Sequence, residues 1–158
     1  MKQNPDIKIK RIVLISSLIL FLFSLTQKCY CTTSTCSDSI MVLILGWAAV
    51  FSSAAGIAWF ANPLLFLSWI FLGKKLKTAM FCSVFAALLA LSFLLFAQIS
   101  DNGSSQQHLI VEYRFGYWLW LSSSITMLVG TYLLMYRHNA AQRKAYIEWK
   151  QSSSGLPD

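Results

Sequence analysis

Ionisable side chains are what this sequence has least of. Only 12 % of its 158 residues are charged, and Asp and Glu together number six. A water-soluble domain of this length needs far more charge to cover its surface. From Ser39 to Gly73 there is no ionisable group at all, and the other long apolar runs also lack Asp, Glu, Lys, Arg and His. Ion and proton pathways through lipid are built from such groups. Their absence excludes a pump, a proton relay or a charged-substrate transporter. It equally excludes a hydrolase working within the membrane, because no nucleophile has a base beside it. No catalytic, cofactor or transport motif occurs, and no cofactor is expected.

What is present is hydrophobic: 56 % of residues, with a mean hydropathy of +0.57. The hydrocarbon core of a bilayer is ~30 Å thick and a helix rises ~1.5 Å per residue, so ~20 apolar residues suffice to cross. Four runs qualify, and the chain reads as a single all-α integral membrane domain. Its crossings fall at about 11–28, 39–61, 78–99 and 116–136, followed by a polar tail over 137–158. The first run follows a short basic segment, as a signal peptide would, but no Ala-x-Ala site follows and Ser24-Leu25-Thr26 is a poor small-x-small site, so it is read as an uncleaved helix. Asn62-Pro63 combines a favoured N-cap with a favoured first helical residue. It is therefore expected to break the second helix and to start a short interfacial or re-entrant helix over 63–73. Within the second crossing Gly46, Ala49, Ser53 and Gly56 share one helical face. Small residues in such a row let helix backbones approach closely in lipid.

The net charge of +7 is not a nucleic-acid signature. The cations sit in short clusters beside apolar segments rather than along one face interleaved with aromatics. They read as topology signals. Lys2, Lys8, Lys10 and Arg11 precede the first run. Lys74, Lys75 and Lys77 lie between the second and third, and Arg137, Arg143, Lys144 and Lys150 follow the fourth. Eleven cations thus face two, Lys28 and Arg114. By the positive-inside rule both termini are cytoplasmic, and a bacterial inner membrane fits the pattern.

The two outward loops hold the remaining candidates. Cys29, Cys31 and Cys36 would lie on the oxidising side, where disulfides persist. Three thiols cannot all pair within one chain, and a Cys29–Cys31 ring would be very tight, so Cys36 is the expected partner of one of the other two. In the second loop the stretch from His108 to Phe115 alternates like a short strand. His108, Glu112 and Arg114 on one face would form an edge able to recognise an external ligand. Asn102-Gly-Ser is a glycosylation sequon, relevant only in a eukaryotic secretory pathway.

Four helices, cytoplasmic termini and thiols in the first outer loop resemble, in layout, the quinone-linked membrane oxidases that regenerate disulfide-forming enzymes. That family pairs C-x-x-C in the first loop with a second cysteine pair in the next. Here Cys29-Tyr30-Cys31 is one residue short and the second loop has no cysteine, so no thiol relay connects the loops. In size, uncharged interior and short outer loops the chain resembles the small membrane immunity proteins that protect against pore-forming bacteriocins. That resemblance implies action by binding, and an accessory subunit of a membrane complex has the same outline. The expected partners are the lipid bilayer, then another membrane protein or an external protein ligand, and not nucleic acid. The alternative is thiol–disulfide or metal chemistry at the loop cysteines, a metal site drawing on His108 as well. No metal site is assigned on spacing alone.

The charge count makes a direct prediction. Cytoplasmic reporters fused after Met1, near Lys75 and after Lys150 should be active, and those near Ser34 and Ser104 silent. Activity at Ser34 with the others unchanged would overturn this orientation.

Overall fold

Lipid offers no hydrogen bonds to a peptide group, so an apolar chain must satisfy its backbone internally, and helices do so. The computed structural model describes residues 5–33, 35–50, 54–96, 98–100 and 107–154. Its helices are α1 (Pro5–Leu25), α2 (Ser39–Ala49), α3 (Ala61–Phe71), α4 (Leu76–Ser92) and α5 (Phe115–Ser154). A 3₁₀ segment, Ala54–Phe60, leads into α3, and another, Phe93–Leu95, extends α4. Three helical stretches are long and apolar enough to cross a membrane: Ala54–Phe71, Leu76–Leu95 and Phe115–Ser153. The positions expected at 155–158 to form the end of the tail lie outside the described residues.

The chain is not all α. Strands β1 (Lys28–Thr32), β2 (Cys36–Asp38), β3 (Gln98–Ser100) and β4 (Gln107–Tyr113) form an antiparallel sheet in the order β2-β1-β4-β3. It draws both loops together at one end of the bundle. Of these strands only β4 had an alternating signal. The short β1–β2 hairpin lacks one because a register irregularity leaves Cys29 as an extra residue on β1 between the Lys28–Asp38 and Tyr30–Ser37 pairs. A bulge of this kind interrupts the pleat, and Cys29, Tyr30 and Cys31 are all buried in succession.

The second apolar run also differs from expectation. It is not one crossing broken at Asn62-Pro63. α2 ends at Ala49, and helix from Ala54 onward passes straight through Asn62 and Pro63 to Phe71. The expected 63–73 interfacial helix is therefore the lower part of a continuous apolar stretch. Pro63 is tolerated because it falls in the first turn of α3 and the Trp59 carbonyl, four residues earlier, accepts from Asn62 Nδ2 in place of the missing backbone N–H. The short piece is α2. Its 11 residues span only ~16 Å at 1.5 Å per residue, too little to cross.

The small-residue row explains how α2 is held. A Cβ on Gly46 would come within 2.5 Å of Trp59 Cδ1, and one on Gly56 would collide with the Ala49 carbonyl. Trp59 Nε1 donates to the Leu43 carbonyl at 2.9 Å. Gly46, Ala49 and Gly56 thus let α2 fold back antiparallel against the segment that follows it, not against a distant helix. Ser53 lies outside the described residues.

The main bundle is α1, α3, α4 and α5. α1 and α5 run antiparallel, with Ser17 meeting Ser123 and Val13 meeting Gly130. At one end of this pair Asp6 Oδ1 lies 3.5 Å from Arg137 Nε. Ser17 Oγ donates to the Ser123 carbonyl (3.1 Å) and Ser123 Oγ to the Ser17 carbonyl (2.9 Å). Trp69 Nε1 of α3 donates to Ser17 Oγ at 3.0 Å. Ser83 of α4 and Thr131 of α5 share a hydroxyl contact of 2.9 Å. The alanines of α4, Ala79, Ala86, Ala87 and Ala90, are buried.

The α1–α5 crossing should be the most sensitive point of the bundle. Any Cβ at Gly130 runs into both methyls of Val13, and overpacking typically costs ~1–3 kcal/mol. Gly130→Leu should lower the thermal midpoint in detergent markedly. Ser17→Ala and Ser123→Ala should show a coupling of ~0.6 kcal/mol, the average for such pairs in membranes. An unchanged midpoint in Gly130→Leu would mean that these helices do not touch there.

Candidate functional site

The cysteine loop and the segment that carries β4 meet in one place. Tyr30 of β1 pairs with Tyr113 of β4 and Cys31 with Glu112, and Arg114 N–H donates to the Cys29 carbonyl at 2.9 Å. Beneath the sheet lies an aromatic cluster. Phe93 touches Tyr30, Tyr113 and Tyr117 at centroid distances of 5.7, 5.8 and 5.7 Å. The hydroxyl of Tyr113 reaches the carbonyls of Phe93 and Phe96, both at 3.2 Å, and that of Tyr117 reaches the Ala90 carbonyl at 2.9 Å. These tyrosines tie the top of α4 to the start of α5.

Cys31 and Cys36 sit opposite each other in the β1–β2 register and are joined by a disulfide. Cys29, carried inward by the bulge, is a free buried thiol, as is Cys82 of α4. Burial pushes the Cys29 thiol from an ordinary 9.0 up to about 12, opposed only by a hydrogen bond from Ser39. Burial also raises the Tyr113 hydroxyl, and a charge on Cys29 would raise it further. A thiol held protonated is neither a nucleophile nor a metal ligand. With Cys31 and Cys36 bonded to each other, no pair of loop thiolates remains for a metal. Among the described residues no group of three or more His, Cys, Asp or Glu is placed to hold one.

Of the second-loop residues the structure brings two together. Glu112 Oε2 lies 2.8 Å from Arg114 Nη2, with both side chains about half exposed (52 % and 50 %). His108 is apart from them, opposite Ile99 of β3. A register irregularity that leaves Val111 as the extra residue of β4 interrupts the alternation that had put all three on one face.

Between the sheet, α2 and the upper ends of α1 and α5 lies a cavity of about 330 Å³. This is in the range of small-molecule sites, which are mostly apolar with a few placed polar groups. Its apolar wall includes Phe21, Val42, Ala55, Ala58 and Tyr117. Asn62 and Trp120 form a polar stretch of the wall that is already satisfied. Trp120 Nε1 donates to Asn62 Oδ1 at 2.8 Å, and Asn62 Nδ2 donates to the Trp59 carbonyl at 3.1 Å. Asn62 therefore joins α3 to α5 instead of breaking a helix. Ser39 also lines the cavity, but its Oγ is buried, and among the described residues only the Cys29 thiol partners it. A Cβ on Gly116 would collide with this hydroxyl and reach within 2.7 Å of the Lys28 carbonyl, so glycine is required where α5 passes under β1. Sequence reasoning named neither the cavity nor its indole anchors. The available signal was that Trp59, Trp69 and Trp120 each bring an N–H into an apolar run and must find an acceptor.

The buried thiol has a measurable signature. Folded protein should resist alkylation at Cys29 below pH 9.0, and adding reductant should expose only Cys31 and Cys36. Because the folded value lies above the unfolded one, Cys29 contributes its stabilisation fully below pH 9.0 and loses it as pH rises toward about 12. The parent should thus lose stability over this alkaline window more steeply than Cys29→Ala, as read by thermal melts. Equal slopes would show that the thiol is not desolvated.

No protein-family model, no curated protein sequence and no solved structure matches the chain.

Proposed function

We propose that this chain is a four-crossing membrane protein, with both termini cytoplasmic in a bacterial inner membrane, that acts by binding rather than by catalysis. α1, α3 with its 3₁₀ lead-in, α4 and α5 make the crossings, and the role is that of an immunity-type protein or an accessory subunit of a membrane complex. α1 has only the run from Ile12 to Leu25 free of charge; the reading gives it a crossing because it packs antiparallel along α5. Lys8, Lys10 and Arg11 then reach the inner interface by snorkelling.

One observation carries the binding reading. The β1–β4 pairing fuses both outer loops into a single surface, and that surface presents the exposed Glu112–Arg114 pair beside the exposed apolar residues Leu109, Val111 and Phe115. A fixed sheet carrying charge and apolar side chains in water suits protein recognition. The alternative, thiol–disulfide exchange, is disfavoured by the protonated state of Cys29 and by the absence of any second-loop cysteine. A toxin gene beside this one would favour the immunity role; an operon of membrane-complex subunits would favour the accessory role.

The test compares two variants in a strain where deletion of the gene has a phenotype. Arg114→Glu should leave the melt within ~1 kcal/mol, since exposed pairs contribute little, yet fail to restore function. A Cys31→Ser, Cys36→Ser double variant should be less stable but partly functional. The reverse outcome, full rescue by Arg114→Glu and none by a well-folded double serine variant, would establish thiol chemistry instead.

A further inference from the structure

We infer that the cavity under α2 holds one hydrocarbon chain of a bilayer lipid, entering sideways from the outer leaflet. The inference rests on the membrane reading above but not on what the outer sheet binds. Three observations carry it. The first is where the cavity opens. Met41 and Leu45 line it and are nevertheless 56 % and 44 % exposed. They belong to the same outward apolar face of α2 as Ile40, Ile44 and Trp47. In a membrane that face meets lipid, so the mouth is a lipid-facing one.

The second observation is the chemistry of the wall. Asn62, Trp59, Trp120 and Tyr117 all line the cavity, but the hydrogen bonds they make are spent on each other or on backbone carbonyls. With those bonds made, and with Phe21, Val42, Ala55 and Ala58 beside them, this part of the wall suits a chain without polar groups. The third is the polarity gradient. Thr35, Ser37 and Asp38 sit at the sheet end of the lining, where the ester or head-group oxygens of a lipid would meet polar side chains. The cavity is thus polar toward water, apolar below and open to lipid at its side, the distribution of an amphiphile. α2 is held over it by the Trp59–Leu43 bond and the close contact at Gly46.

The experiment uses the full-length protein in vesicles of phosphatidylethanolamine and phosphatidylglycerol doped with a phospholipid that carries a diazirine midway along one acyl chain. After irradiation, peptide mass spectrometry locates the adducts. Phe81 and Phe85 of α4 are exposed and should be labelled by any surrounding lipid. The inference requires additional adducts on the buried wall, at Ala55, Ala58 or Tyr117. Leu45→Trp narrows the mouth at an exposed position and should fold normally. Val42→Phe fills the interior. Either should reduce wall adducts relative to those at Phe81 and Phe85 by about five-fold or more, the factor that corresponds to the lower end of overpacking costs. Labelling confined to Phe81, Phe85 and other outward residues would overturn the inference, as would wall adducts unchanged in both variants. Absence of labelling even at Phe81 and Phe85 would overturn the membrane reading itself, and this inference with it.

Discussion

The bundle depends on one knot of hydrogen bonds. Ser17 and Ser123 each give a hydroxyl proton to the other's backbone carbonyl, and Trp69 adds an indole proton to Ser17. Three helices are joined by three bonds at a level where water has no access. The geometry is possible only because serine is small enough for α1 and α5 to touch, and Gly130 continues that approach along the same seam. Apolar contact alone gives little preference for protein over lipid, since the two are equally oily. The hydroxyl knot and the Ser83–Thr131 contact supply direction, and the packing of Phe21 against Phe66 and Trp69, at 5.4 Å each, follows from where they put the helices.

Much of this was legible in the sequence and some was not. Length and the absence of charge mark the apolar helices clearly, because burying ionisable groups in lipid is costly enough to leave a visible gap. Among the hydroxyls of α5, Ser123 bonds across to α1, whereas Thr126 Oγ1 turns back to the Ser122 carbonyl of its own helix. The reversal between α2 and the segment after it was not legible. Every residue there is apolar or small, so periodicity is uniform and nothing marks the end at Ala49. Asn62-Pro63 carried the stronger local break signal and was overridden by tertiary structure: Trp120 gave the asparagine an interhelical partner, and a change of helix type absorbed the proline. β1 and β2 escaped notice because bulges and disulfides are set by three-dimensional pairing, not by alternation.

The candidate site follows the same division. The three loop cysteines were visible as competitors for a single bond. Which two pair is decided by cross-strand register, which places Cys36 opposite Cys31 and leaves Cys29 to be turned inward. The Glu112–Arg114 pair was visible as a charged edge; the separation of His108 was not, since it depends on the irregularity at Val111. The cavity was invisible, being the space left when a helix too short to cross is folded over the shoulder of a bundle.

The sheet order has a consequence for biogenesis. β1 and β2 are neighbours in the chain, so their hairpin and its disulfide need nothing that is made later. β1 and β4 are separated in the chain by α2, α3, α4 and β3, so β4 is made long after the hairpin. The strand order lets β1 stand with one edge covered by β2 and the other free to receive β4, its hairpin closed by the Cys31–Cys36 bond. Long-range strand pairing is the slow kind, and a pre-formed template shortens the search at its last step. The same bond that looks like a small local staple in the finished molecule is, on the ribosome's clock, a receiver prepared for a strand not yet made.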